Sequence, residues 1–145
     1  MMNSKKILGV DFGMARTGLA RSDDLGMYAV GMGNVKSYNM EKAAEDVAAK
    51  AKEISAELIV IGMPVNMNGS LGEKAELVMK FGELISNHTD IPIDYFDERL
   101  TTVMAHQILG NSRVRAKNRK GIIDSLAAEI ILQGYMDMQK NKKST

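Results

Sequence analysis

The 145-residue chain contains no cysteine. Disulfides and thiolate zinc sites are therefore excluded. Histidine occurs twice, at His88 and His106, far apart in sequence, which argues against a histidine-rich metal site. Any bound metal must be held by oxygen, a donor set that favours Mg²⁺ or Mn²⁺. No apolar run approaches the ~20 residues that a membrane-spanning helix needs, so no membrane partner is expected. Lys5 and Lys6 precede only a short apolar stretch that Asp11 interrupts, which is not the pattern of a signal peptide. A cytoplasmic protein is the expectation. A strong positive charge is also missing, because the net charge is only +1. Basic residues are instead concentrated locally: Arg113, Arg115, Lys117, Arg119 and Lys120 crowd the segment RVRAKNRK. A patch of this kind on a near-neutral chain can still dock phosphates.

The content of the chain is that of one ordinary globular domain, 45% hydrophobic and 26% charged. Its 12 methionines form no stripe that demands a metal or a partner, and read as adaptable core filler. Neither a repeat nor an interdomain linker is visible. The domain is expected over residues 1–138, followed by a flexible basic tail over 139–145.

Hydrophobic patterning predicts strands in KILGVDFG, TGLARSD and, more weakly because of its glycines, MYAVGMGNVKS. MEKAAEDVAAKAKEISA has helical spacing of Ala43, Val47, Ala51 and Ile54. ELIVIGMP reads as a strand buried on both faces. GEKAELVMKFGELISNH reads as a helix, IPIDYFDER as a fifth strand, TTVMAHQIL as a helix with a threonine cap, and GIIDSLAAEIILQGYMDMQ as the last helix. The fold class is therefore α/β. It is a five-stranded mixed sheet, three antiparallel strands joined to two parallel crossover strands, flanked by helices. Ligand sites in such sheets lie near the carboxyl ends of the parallel strands.

Carboxylates stand at those ends. Asp11 finishes the first strand on the face of Ile7 and Gly9. A charged group there must be solvated, paired or bound to a cation, and the plain alternative is a turn aspartate bonding its own loop. Asp97 and Glu98 end the fifth strand. Neighbouring residues point to opposite faces, so only one of them can share the face of Asp11; alternation alone does not say which. A local ion pair with Arg99 is the competing explanation. Asp124 lies early in the last helix, on the face of Ala127, Ala128 and Ile131. There it needs a partner, either a cation or an arginine. Three carboxylates from a first strand, a later strand and a last helix could bridge two divalent ions about 3.5–4 Å apart, one activating water and the other stabilising the leaving oxygen of a phosphodiester. Arg16, Arg99 and the basic segment would then contact the polyanion, supplying affinity rather than sequence reading. For Arg99 the alternative is that it orients Asp97 or Glu98.

LGVDFGMARTGLARSD, IVIGMPVNMNGSLGEKAE, FDERLTT and IIDSLAAEIILQGYMD resemble, in order and spacing, the YqgF/RuvX family, over roughly Lys6 to Asp137. Its members are described as pre-16S rRNA nucleases and as Holliday-junction-resolvase-like proteins. DERLTT together with DFG…RTGLA is a specific combination. The resemblance implies a ribonuclease H-like fold, a cytoplasmic location, maturation of the 5′ end of 16S rRNA, and a metal-binding catalytic triad of Asp11, Glu98 and Asp124, with Asp97 the alternative to Glu98. Two departures bear on substrate contacts. Ala15 stands where a basic residue is common, and MYAVGMGNV lacks the expected proline pattern.

Rival functions remain open at this point. Branched DNA could replace precursor RNA as substrate. Two symmetric cuts would then call for a two-fold dimer, yet no interface stripe is evident, so monomer and homodimer both stand. A non-catalytic RNA-binding assembly factor would keep the basic segment and need no metal. DFGMARTG is also similar to the phosphate loop of actin-like ATPases, but those close two related domains around nucleotide, and the chain holds one.

Overall fold

The computed structural model describes residues 5–101 and 116–144; for 100–101, 116–124 and 141–144 it describes the backbone only. The elements run β1 (Ile7–Asp11), β2 (Arg16–Ser22), β3 (Ala29–Lys36), α1 (Met40–Glu53), β4 (Leu58–Met63), α2 (Glu73–Ser86), β5 (Ile93–Asp97), a 3₁₀ turn (Glu98–Thr101) and α3 (Ala116–Ser144). One sheet contains all five strands in the order β3-β2-β1-β4-β5. β1–β2 and β2–β3 pair antiparallel, and β1–β4 and β4–β5 pair parallel. This is the mixed sheet that the patterning predicts. The helix expected over TTVMAHQIL falls outside the described residues, except Thr101.

Strand alternation sorts the core into two layers. Leu8, Val10, Ile59, Ile61 and Met63 face α1 and α2, where they meet Val47, Phe81 and Ile85. Ile7, Val60 and Phe96 face α3, where they meet Ala128, Ile131 and Leu132. Leu8, Ile59 and Ile61 have no exposed surface, and burial of each contributes about 1.5–3 kcal/mol. Gly9 lets α3 come close: a Cβ there would stand 2.7 Å from Cβ of Leu132 and 3.2 Å from the carbonyl oxygen of Ala128.

The glycines that weaken the third strand in the sequence have a place in it. Gly18 pairs with Asn34 but Ala20 pairs with Gly31, so β3 carries an extra residue. Gly33, at φ 81°, absorbs it as a bulge. Polar contacts then fix α3 across the sheet. Gln133 accepts from the Ala29 N–H at 2.9 Å and donates to the Met27 carbonyl at 2.9 Å. The Tyr135 hydroxyl donates to Asp94 at 2.8 Å. Burial first, and then this bond, push the Tyr135 phenol up to about 12.

Helix ends differ more from expectation. Asn39 caps α1, its side chain accepting from the Lys42 N–H at 3.0 Å. α1 stops at Glu53, before the expected ISA. The Ala56 N–H bonds the Ala51 carbonyl and the Ser55 N–H bonds that of Lys52, with Ser55 at φ 57°. This is a Schellman closure with serine in the position glycine usually takes. α3 begins earlier than the sequence suggests and runs to Ser144, into the stretch expected as a tail.

Candidate active site

Asp11 closes β1, and the chain then turns tightly back into β2. Phe12 stacks on Phe81 with ring centroids 4.5 Å apart, which anchors the strand end. A Cβ on Gly13 would collide with the Arg16 carbonyl oxygen, so the turn accepts no side chain there. Beside it lies a cleft of about 230 Å³ at the carboxyl ends of β1 and β4, lined by Asp11, Gly13, Met14, Gly62, Lys74 and Glu98 among others. A larger, shallower depression of about 650 Å³ lies near the amino ends of β4 and β5, between Lys52, His88 and Asp90. The smaller cleft is where the chemistry is concentrated.

β5 separates the two candidates at its end. Asp94 bonds Tyr135 and Phe96 packs in the α3 layer, whereas Tyr95 lies against Gly82 of α2. Continuing the alternation, Glu98 falls on the α3 side with Asp11, and Asp97 falls on the other. The contacts agree. Glu98 Cγ lies over Gly62, beside Ile131 of α3. Asp97 instead holds Arg99, accepting from Nη2 at 2.8 Å and Nε at 3.0 Å, and from the Arg99 backbone N–H at 2.9 Å. Arg99 also donates to the Asn66 carbonyl at 3.4 Å. The Arg99 guanidinium keeps the Asp97 carboxyl below the usual carboxylate range.

The cleft carboxyls behave oppositely. Burial raises the proton affinity of Asp11, partly offset by the Lys74 charge. Burial and the negative charge of Asp11 push Glu98 up to about 6, again partly offset by Lys74. Both groups are thus penalised for ionising, and a cation between them would remove the penalty. The donors are carboxylate oxygens, which suit Mg²⁺ or Mn²⁺. Among the described residues, no group of three or more histidines or acids is arranged to hold a metal. The third expected acid, Asp124, has its backbone within α3 and its side chain outside the described residues.

The basic candidates are less gathered. Arg16 is exposed at the start of β2. Arg99 is committed to Asp97. Arg113 and Arg115 lie outside the described residues. Lys117, Arg119 and Lys120 belong to the start of α3, their side chains likewise outside what is described. Lys74 is a cleft residue that sequence reasoning missed. An exposed lysine in the first turn of an amphipathic helix carries no signal to set it apart.

Known proteins resemble the chain over nearly all of its length. A family model, RuvX, described as Holliday junction resolvase, matches residues 5–138. A Clostridium beijerinckii protein named "Putative pre-16S rRNA nuclease" is 41% identical over 137 residues, covering 94% of this chain and 99% of its own. One of the same name from Clostridioides difficile is 43% identical over 136 residues, with 94% and 96% covered. Among solved structures, Thermus thermophilus RuvC in complex with a Holliday junction substrate superposes with a TM-score of 0.54 at 15% identity, covering 93% of this chain and 96% of that one. The fowlpox virus Holliday junction resolvase gives 0.51 at 12% identity, with 92% and 99% covered. Identities this low speak to the fold alone, which is ribonuclease H-like.

Proposed function

The chain belongs to the RuvX family, and on that premise we propose that it is a divalent-metal-dependent nuclease that hydrolyses phosphodiester bonds of precursor 16S rRNA at its 5′ end, in the cytoplasm. The observation that carries this reading is the convergence of Asp11 and Glu98 on one cleft, each with its proton affinity raised. The names of the relatives favour ribosomal RNA as substrate.

Asp11, Glu98 and Asp124 would hold Mg²⁺ or Mn²⁺. The helical register supports including Asp124. Ala128 lies at Gly9; one turn back along α3 is about 6 Å, and two residues along β1, from Gly9 to Asp11, is about 6.6 Å. These matching spans are what supports counting Asp124 with the two cleft acids. Bound ions of this kind supply an activated water and offset charge on the leaving oxygen. The protein's part is positioning. Phe12 on Phe81 holds the end of β1. The 3₁₀ turn, tied by Asp97 and Arg99, holds Glu98. Phe12, Pro64, Leu77 and Val78 give the cleft an apolar wall, which strengthens the electrostatics inside it. Arg16 and the basic segment would supply non-specific affinity for the polyanion.

The test is Asp11→Asn. A 5′-extended precursor 16S fragment is incubated with parent or variant in Mg²⁺ or Mn²⁺. Loss of cleavage by about two orders of magnitude or more is expected; equal cleavage would sink the mechanism. The family's description favours a second reading, resolution of branched DNA. It requires a two-fold dimer, so symmetric cutting of a four-way junction by a species that sediments as a dimer would establish it over the first.

A further inference from the structure

Lys74 stands in the first turn of α2 and lines the cleft with Asp11 and Glu98. Yet no ion pair within 4.0 Å among the described residues includes it, and its side chain is exposed to solvent. The ammonium belongs to the same cleft as both carboxylates and, among the described residues, forms an ion pair with neither. A lysine held solely to neutralise these acids would close onto one of them. This one lines the cleft without closing onto either acid, so its donors stay available to what enters.

A phosphodiester entering the cleft meets two acidic groups, and a cation on the wall offsets that repulsion. We propose that Lys74 is a substrate-binding residue whose ammonium takes a non-bridging oxygen of a phosphodiester beside Asp11 and Glu98. The inference rests on the nuclease reading above and adds to it the residue that receives the phosphate. A lysine suits the task, being a compact charge with three donors on a flexible stem.

The experiment measures binding of the 5′-extended precursor 16S fragment to the full chain by fluorescence anisotropy in EDTA, between about 50 and 200 mM salt. Lys74→Gln is expected to lower the slope of log K against log[salt] by about 0.7–0.9, the effect of one lost phosphate contact. Lys74→Arg should retain the slope. Lys80→Gln, which removes an exposed lysine of α2 that does not line the cleft, should also retain it. With Mg²⁺ present, Lys74→Gln should reduce kcat/KM by about 10–100-fold while the thermal midpoint stays parental. A parental slope for Lys74→Gln, or an equal drop for Lys80→Gln, would overturn the assignment. The parent's own cleavage, read in the same samples, reports separately on the nuclease reading. A parent that binds but does not cut, with a lowered slope in Lys74→Gln, would leave Lys74 a phosphate contact and remove the nuclease reading.

Discussion

A Cβ added at Gly62 would stand 3.1 Å from Cγ of Glu98. The last turns of β4 and β5 are therefore matched: Glu98 can lie on the α3 side of the sheet because its neighbour strand has no side chain there. Ile131 of α3 presses into the same gap, closer still. Gly62→Ala should destabilise the fold by about 1–3 kcal/mol and lower cleavage at least about tenfold. The two contacts can be separated. Adding Ile131→Val removes the Cδ1 methyl that meets the new Cβ, so stability should partly recover. Glu98 remains displaced, so activity should not. Urea denaturation and cleavage assays on the single and double variants check this, and recovery of both together would show that Glu98 is indifferent to Gly62.

Stability should carry a trace of Glu98. Its carboxyl is raised from 4.5 to about 6 by burial and by Asp11. Between those values the folded chain binds more protons than the unfolded one, so unfolding free energy falls as pH rises through the window, and the penalty is complete above pH 6. Asp11 is shifted in the same direction. Because Glu98 is only partly buried, the loss attributable to it is roughly 1 kcal/mol rather than the full shift. The measurement is the difference in urea midpoint between parent and Glu98→Gln, metal-free, across the window. The parent should lose ground to the variant as pH rises, and Mg²⁺ should shrink the loss by favouring the ionised pair. A difference that is flat with pH would contradict the raised proton affinity.

Much of this fold is legible in the residues because it depends on alternation. The two-layer burial of β1 and β4 follows from ILGVD and LIVIGM, and the crossover order follows from strands alternating with helical periods. The choice between Asp97 and Glu98 is different. Period two says that they part, but which faces the cleft depends on Tyr95 packing on Gly82 and Phe96 on Tyr135, contacts between segments far apart in sequence. Lys74 is illegible for a similar reason: its relation to Asp11 exists only once α2 is folded back over the sheet. The Asp97–Arg99 pair lies between these cases, since two residues' separation already suggests a local ion pair.

The end of α1 is a place where sequence and conformation disagree. Ser55 sits at φ 57°, a conformation that costs a residue with a Cβ about 1–2 kcal/mol. Glycine adopts it freely but gives up more chain entropy on folding. The balance favours Ser55→Gly by about 0.5–1 kcal/mol. Thermal and urea unfolding should show the gain, with cleavage unchanged because the position is remote from the cleft. A loss of stability would mean that the serine side chain contributes more than its backbone strain.

The sequence offers Arg99 as a nucleic-acid contact, and in the structure its guanidinium is spread over Asp97 and the Asn66 carbonyl. It thereby ties the loop after β4 to the turn that carries Glu98. The pair is partly exposed, 37% for Arg99 and 27% for Asp97, so solvent screening should keep its effect on stability small. Its effect on activity should be larger, because the fork geometry fixes the backbone on either side of Glu98. A lysine cannot reproduce that fork. Arg99→Lys and Asp97→Asn are each expected to lower kcat about tenfold with KM nearly constant, and the double variant should be no worse than either single, the signature of two groups acting as one. The salt slope of RNA binding should not change in Arg99→Lys, nor in Arg99→Ala. If Arg99→Ala instead lowers the slope by the amount of one phosphate contact while kcat holds, Arg99 binds substrate directly and the turn keeps Glu98 in place without it.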